Sequence, residues 1–184
     1  YDTFKENKSE IINYPINSNF WKRNKLINKY NFVFHKNRYY LLFLSNSGEN
    51  DHRKGFSKLK KILSYLREFN SPRPIELLFL GSKKNYTNNI GGFKINFIKR
   101  THDETELMFY YSGSDITLIL SDQDNLPLVM QESLACGTPV IAFRNGGMKD
   151  LITDNFNGFI VDNKNYSLFS DKIIKILKLE NNQK

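Results

Sequence analysis

Cysteine is nearly absent: a single thiol, Cys136, stands in 184 residues. One cysteine excludes an internal disulfide framework and any Cys-rich zinc site, and it suits a reducing compartment. No uninterrupted apolar run approaches the roughly 18 residues that a membrane span needs. The opening Tyr1-Asp2-Thr3-Phe4-Lys5-Glu6 has neither an initiator Met nor a charged-then-apolar leader, so the chain is expected to be a fragment of a longer protein. Two nucleotide-binding signatures are also missing. A dinucleotide-dependent oxidoreductase needs a Gly-x-Gly-x-x-Gly turn after its first strand, but Ser45-Asn46-Ser47-Gly48-Glu49 stands there. The Gly-x-x-x-x-Gly-Lys-Ser/Thr loop of a P-loop NTPase occurs nowhere. There is no internal repeat and no low-complexity segment.

What is present suffices for one packed domain. Hydrophobic residues make up 40% and aromatics 14%, with fifteen Phe and ten Tyr, which excludes disorder throughout. Lys and Arg number 27 against 19 Asp and Glu, a net charge of +8. That balance suits nucleic acid, an acidic membrane face or a phosphorylated small molecule, or it is simply a solvated basic surface. No nucleic-acid motif or basic-aromatic strand pattern accompanies the charge, so nucleic acid is not expected as a partner.

Residues 1–38 are polar and weakly periodic, and Pro15 among Asn residues suggests an extended connector leading into the domain proper at 39–184. Short apolar runs bounded by turn residues predict buried strands at Tyr39–Leu44, Ile75–Leu80, Lys94–Ile98, Ile116–Leu120, Val140–Phe143 and Phe159–Val161. Apolar residues spaced by three and four predict helices at Lys54–Phe69, Glu104–Tyr111 and Leu168–Leu179. A further helix is expected at Pro127–Ala135, with Pro127 in its first turn, Asp124 or Asn125 as its cap and Gly137 just past its end. Alternation of this kind predicts an α/β fold, a doubly wound, Rossmann-like parallel sheet with helices on both faces. Ligands bind such sheets beyond the carboxyl ends of the strands. The expected loops are therefore Ser45–Lys54, Gly81–Tyr86, Lys99–Asp103, Ser121–Pro127 and Arg144–Lys149.

The densest polar stretch runs from Ser121 to Asp150. Asp124 precedes the expected helix and Glu132 lies about two turns into it, roughly 9–12 Å apart at 1.5 Å per residue. That span is too long for an acid/base pair on one glycosidic bond, but it suits the two ends of an elongated ligand. The helix start between them offers backbone N–H groups and a positive dipole end, a seat for phosphate. Equally, Asp124 could be a plain helix cap and Glu132 an exposed helix residue.

Read in order, the stretch Asp124-x7-Glu132-Ser133-Leu134-Ala135-Cys136-Gly137-Thr138-Pro139-Val140-Ile141-Ala142, then Gly146-Gly147-Met148-Lys149-Asp150, resembles the signature of retaining glycosyltransferases of family 4. Their pattern is an acidic residue, seven positions, then Glu-Ala-Met-Ala-Cys-Gly-Thr-Pro-Val-Ile-Ala and a later Gly-Gly. Asp154-Asn155-Phe156-Asn157-Gly158 resembles the segment that follows. Arg53-Lys54-Gly55-Phe56 is similar to the family's Arg-Lys-Gly-Phe, Ser114-Asp115 to its Ala-Asp before a strand, and Tyr14-Pro15-Ile16-Asn17 to the exit from its N-terminal half. The resemblance covers about Asn13 to Leu179, matching the family's C-terminal, donor-binding half. Three features depart from it: Asp124 replaces the usual Glu, Asn125-Leu126 replaces the Gly-Phe-Gly that often follows, and Gly48-Glu49 stands where a further Arg is usual.

The resemblance implies one half of a two-Rossmann (GT-B) enzyme. Lys54, Asp124 and Glu132 would be the catalytic residues, with Glu132 accepting from ribose hydroxyls. Asp124 and the backbone at Asn125 and Leu126 would hold the sugar. Arg53 and Lys54, with the N–H groups near Leu128 and Val129, would neutralise the leaving diphosphate, while Phe97 and Ile98 would offer backbone contacts to the base. A solvated role is favoured for His102, and a packed one for Cys136. No cofactor or metal is implied; the donor is a nucleoside-diphosphate sugar, with UDP expected because it is common in the family. The acceptor, a saccharide or lipid-linked saccharide, would be bound by an N-terminal domain. The setting implied is bacterial cell-surface polysaccharide or lipopolysaccharide synthesis, in the cytoplasm or peripherally at the inner face of the membrane. The competing expectation is a non-catalytic nucleotide-sugar-binding or scaffold protein of the same fold.

Overall fold

A computed structural model describes residues 15–23, 30, 32–45, 48, 52–121 and 127–181. Its centre is a seven-stranded sheet, numbered along the chain: β1 (Tyr39–Leu44), β2 (Ile75–Ser82), β3 (Tyr86–Ile90), β4 (Phe93–Lys99), β5 (Ile116–Ile119), β6 (Val140–Phe143) and β7 (Gly158–Val161). The spatial order is β3-β4-β2-β1-β5-β6-β7, so the chain starts in the middle and winds outward in both directions. All neighbours are parallel except β3 and β4. The expected doubly wound α/β sheet is therefore present, with one correction. β3 is an antiparallel edge strand that joins β4 through Gly91 and Gly92, both at positive φ. Its sequence, Tyr-Thr-Asn-Asn-Ile, is polar because an edge strand exposes most of its side chains.

The central strands carry apolar runs because both faces are covered. α1 (Phe56–Leu66) and α4 (Tyr166–Asn181) close one face, packing Leu59, Ile62, Leu63, Leu66, Phe169, Ile173 and Leu177 onto Leu41, Phe43, Leu77, Phe79 and Ile141. α2 (Glu104–Gly113) and α3 (Leu128–Ala135) lie on the other face, over Tyr40, Leu42, Leu78, Leu80 and Val140. The first of these helices is shorter than its apolar pattern predicts. A 3-10 turn (His52–Lys54) precedes it and Gly55, at φ 80°, caps it. Buried charge is met in place: Glu76, 3% exposed at the N-terminal end of β2, accepts from Asn96 Nδ2 at 2.9 Å and pairs with Arg38 and Lys94.

The segment before β1 does more than connect. Phe32 and Phe34 stack edge-on against Tyr40 at 5.8 and 4.9 Å, and Trp21, 6% exposed, meets the Tyr111 ring edge-on at 6.0 Å. These aromatics supply an irregular third wall of the α2-side core, with no helical or strand period to reveal them in sequence. Trp21→Ala is expected to lower unfolding free energy by about 3 kcal/mol, read as a shifted urea midpoint; a free connector would leave the midpoint unmoved.

Candidate functional site

A cleft of about 280 Å³ opens at the carboxyl ends of the strands. Leu44 of β1 and Leu80 and Gly81 of β2 form its floor, and Arg100, Thr101 and His102 of the loop after β4 form one wall. Glu104, Leu107 and Tyr111 of α2 face Leu128, Val129 and Glu132 of α3 across it. Three residues singled out from sequence, Leu128, Val129 and Glu132, thus share one cavity with His102. Phe97 and Ile98 do not reach it. They are buried in β4 and border a separate groove of about 590 Å³ beside Asn85, Thr87 and Asn96. That groove lies against the antiparallel edge rather than the strand ends. Asp124, Asn125 and Leu126 lie outside the described residues.

Glu132 is not an exposed helix residue. It is half-buried, and the Tyr111 hydroxyl donates to its Oε2 at 2.8 Å. Burial pushes the carboxyl above the ordinary carboxylate range; the Tyr111 hydrogen bond pulls it partly back, and the charge of Glu104 pushes it up again. Tyr111 itself is fully buried and held well above the usual phenol range by that burial and by Glu132. Nothing in the sequence marked Tyr111, which is 21 positions from Glu132 and on a different helix. Cys136, one turn beyond Glu132, is fully buried, and burial pushes its thiol up to about 11. It is a packed side chain, as expected.

The helix starts differ in how they are finished. Asp103 caps α2, accepting from the N–H groups of Thr105 and Glu106 at 2.8 and 3.3 Å, with Glu104 and Glu106 in the first turn. α1 and α3 have no side-chain cap and no acid in the first turn. Pro127, expected at the first helical position, occupies the N-cap instead, because its ψ of 127° places it outside the helix that its φ of −67° would allow; the caps expected at Asp124 or Asn125 lie outside the described residues. Pro127 has no side-chain acceptor to offer, and Leu128 and Val129 at the start of α3 line the cleft.

Arg53 and Lys54 sit on the 3-10 turn ahead of α1, not in the cleft lining. Their turn is fastened to the end of β5. A Cβ at Gly55 would lie 2.3 Å from the Leu120 carbonyl oxygen, and Lys58, 7% exposed, donates from Nζ to the same oxygen at 2.9 Å. Leu120 in turn leads through Ser121, whose carbonyl accepts from Asn145 Nδ2, toward α3. The basic turn and the Asn145 loop after β6 are thus both anchored at the end of β5. Among the described residues no three His, Cys, Asp or Glu side chains gather as a metal site, and no helix is long and apolar enough to cross a membrane.

Doubly wound sheets bind ligands beyond their carboxyl edge, and here that edge carries a cleft with a held carboxylate. The sequence profile described as glycosyl transferases group 1 matches residues 27–184, and the chain belongs to that family. An uncharacterized glycosyltransferase of Haemophilus influenzae is 31% identical over 118 residues, 61% of this chain and 33% of the relative. The N-acetyl-alpha-D-glucosaminyl L-malate synthase of Bacillus anthracis is 25% identical over 141 residues, 70% of this chain and 36% of the relative. The chain therefore spans about a third of the length of these relatives. Among solved structures, the sucrose-phosphate synthase of Thermosynechococcus elongatus aligns with a TM-score of 0.71 at 22% identity, over 89% of this chain and 42% of that one. The lipopolysaccharide outer core galactosyltransferase WaaB aligns at 0.62 and 13% identity, over 77% and 41%. At these identities the likeness shows the fold, that of GT-B glycosyltransferases.

The anchoring at Leu120 can be isolated by comparing two glycines. Gly55 and Gly92 both sit at positive φ, but a Cβ at Gly92 meets nothing within 4 Å. Gly92→Ala is expected to cost about 1 kcal/mol, and Gly55→Ala at least about 2 kcal/mol more. Urea unfolding of the two variants measures the difference; equal losses would show that the contact with Leu120 is dispensable.

Proposed function

We propose that this chain is the C-terminal, donor-binding domain of a retaining glycosyltransferase of family 4 type. It binds a nucleoside-diphosphate sugar, with UDP as the preferred nucleotide. The observation that carries the reading is the cleft itself: a half-buried Glu132 carboxylate held at the carboxyl edge of the sheet, three residues beyond Val129 on a helix whose first residues line the same cleft. In this reading Glu132 accepts from the ribose hydroxyls, and the N–H groups at Leu128 and Val129 meet the diphosphate. Arg53 and Lys54 add positive charge beside it from the turn anchored at Leu120. Asp124, Asn125 and Leu126 hold the sugar, and the cytoplasmic face of a bacterial membrane is the setting for polysaccharide synthesis; Phe97 and Ile98, which border the separate groove, take no part in this reading. Residues 1–38 then lead from the acceptor-binding domain into 39–184.

The chemistry required is modest. The bond between the anomeric carbon and the diphosphate oxygen breaks, and an acceptor hydroxyl oxygen bonds to that carbon on the same face while losing its proton. Negative charge accumulates on the departing nucleoside diphosphate, so fixed N–H dipoles and cations lower the barrier by electrostatic stabilisation and positioning. No protein nucleophile is assigned.

Calorimetric titration of the chain with UDP, GDP and ADP tests the reading. Saturable binding of UDP is expected, weakened at least about tenfold by Glu132→Ala and by Lys54→Ala, a loss of about 1.4 kcal/mol or more. Absence of binding by all three nucleotides, with an unchanged circular dichroism spectrum, would remove the donor site and favour a scaffold role.

A further inference from the structure

We infer that Tyr111 is a positioning residue for the donor site: it fixes the Glu132 carboxylate so that one oxygen is occupied and the other is aimed into the cleft as an ionised acceptor. The inference rests on the donor reading above and extends it to a residue that never touches the ligand through its own reactive chemistry. Three observations support it. First, the bond joins two helices rather than neighbours on one: the α2 hydroxyl reaches α3 and meets Glu132 Oε2 at 2.8 Å. Second, Tyr111 cannot swing away. It is fully buried, its ring lies edge-on to Trp21 at 6.0 Å, and its carbonyl accepts from Thr138 Oγ1 at 2.6 Å and from the Ser114 N–H at 3.2 Å. Third, both side chains line the same cleft, so the carboxylate held on one side faces the ligand space on the other.

The groups around Glu132 explain why such a holder is needed. From α2 it faces Tyr111 and Glu104, and from its own helix Cys136, whose thiol burial keeps neutral at ordinary pH. Arg100 and His102 share the cleft from the loop after β4. Burial and the Glu104 charge favour the protonated acid, and a protonated acid is a poorer acceptor for ribose hydroxyls. The Tyr111 hydroxyl opposes both by donating to the charged form. Trp21 and Thr138 hold the holder, which gives the aromatic segment before β1 a second consequence beyond core packing.

The sign follows from the direction of the shift. Affinity that needs ionised Glu132 is present above its titration midpoint and lost as pH falls through it. Removing the Tyr111 hydroxyl raises that midpoint, so affinity is lost at higher pH than in the wild type. The experiment has two arms on the intact chain. Glu132 is titrated by carbon-13 NMR of its carboxyl, without ligand, in wild type and Tyr111→Phe; the midpoint is expected to rise by about one pH unit. UDP affinity is then measured from pH 5 to 8.5 in wild type, Tyr111→Phe and Glu132→Gln. The nucleotide's own phosphate titrates identically in all three, so differences between curves report the protein.

The expected result is an acid limb displaced upward by the same amount in Tyr111→Phe and reduced in Glu132→Gln to the part that the nucleotide's phosphate contributes, with weak binding at every pH. An unchanged carboxyl midpoint in a folded Tyr111→Phe overturns the inference. So does a shifted midpoint with superimposable affinity curves, because the bond would then serve packing alone. Failure of the wild type to bind UDP at any pH overturns the donor reading instead, and the ligand-free titration tells the two failures apart.

Discussion

The carbonyl of Leu120, at the end of β5, is the point on which the functional edge of the domain depends. Gly55 approaches it so closely that no side chain fits, and the buried Lys58 ammonium donates to it. An ammonium taken out of water is costly unless it is hydrogen-bonded, and the Leu120 carbonyl supplies Lys58 with an acceptor. The consequence is geometric: the turn bearing Arg53 and Lys54 is fastened to the strand whose continuation leads to α3. Lys58 also lies 5.2 Å from the centroid of the Phe143 ring, so β6 joins the same junction.

Electrostatic differentiation among the helix starts follows at that edge. α2 is capped by Asp103 and followed by Glu104 and Glu106, so its positive end is already neutralised within the chain. Among the described residues α1 and α3 have no acid in the first turn, and the basic Arg53 and Lys54 stand just before α1. The same sheet edge therefore contains one helix start neutralised within the chain and one preceded by a basic turn. The net charge of +8 raises the local concentration of anionic ligands generally; the basic turn before α1 gives that attraction a place. Glu132, about one turn into α3, supplies an acceptor rather than a donor at that edge.

Most of the parallel core was legible because strands covered on both faces must be continuous apolar runs, and those of β1, β2, β4, β5 and β6 stand out between turn residues. β3 was not, since an exposed edge strand has no apolar run to display; only Gly91-Gly92 hinted at a hairpin. The start of α1 was misplaced because apolar periodicity does not reveal that Gly55 adopts positive φ under the end of β5. In the site, Glu132 was legible through its motif, and the cleft places it with Leu128 and Val129. Tyr111 and Lys58 were not, because each acts through a partner distant in sequence, and a buried polar contact of that kind leaves no local period. Phe32, Phe34 and Trp21 escaped for a related reason: they pack as an irregular layer on Tyr40 and Tyr111.

Backbone amide deuterium exchange, recorded with and without saturating UDP, tests most directly whether the carboxyl edge of the sheet is the ligand site. The account predicts slowed exchange at the Arg53–Lys58 turn, the Arg100–Leu107 wall and the first two turns of α3, with no change at Thr153–Phe159 at the opposite ends of the strands. Protection confined to the groove beside Asn85, Thr87 and Asn96, with the carboxyl edge unaffected, would contradict it.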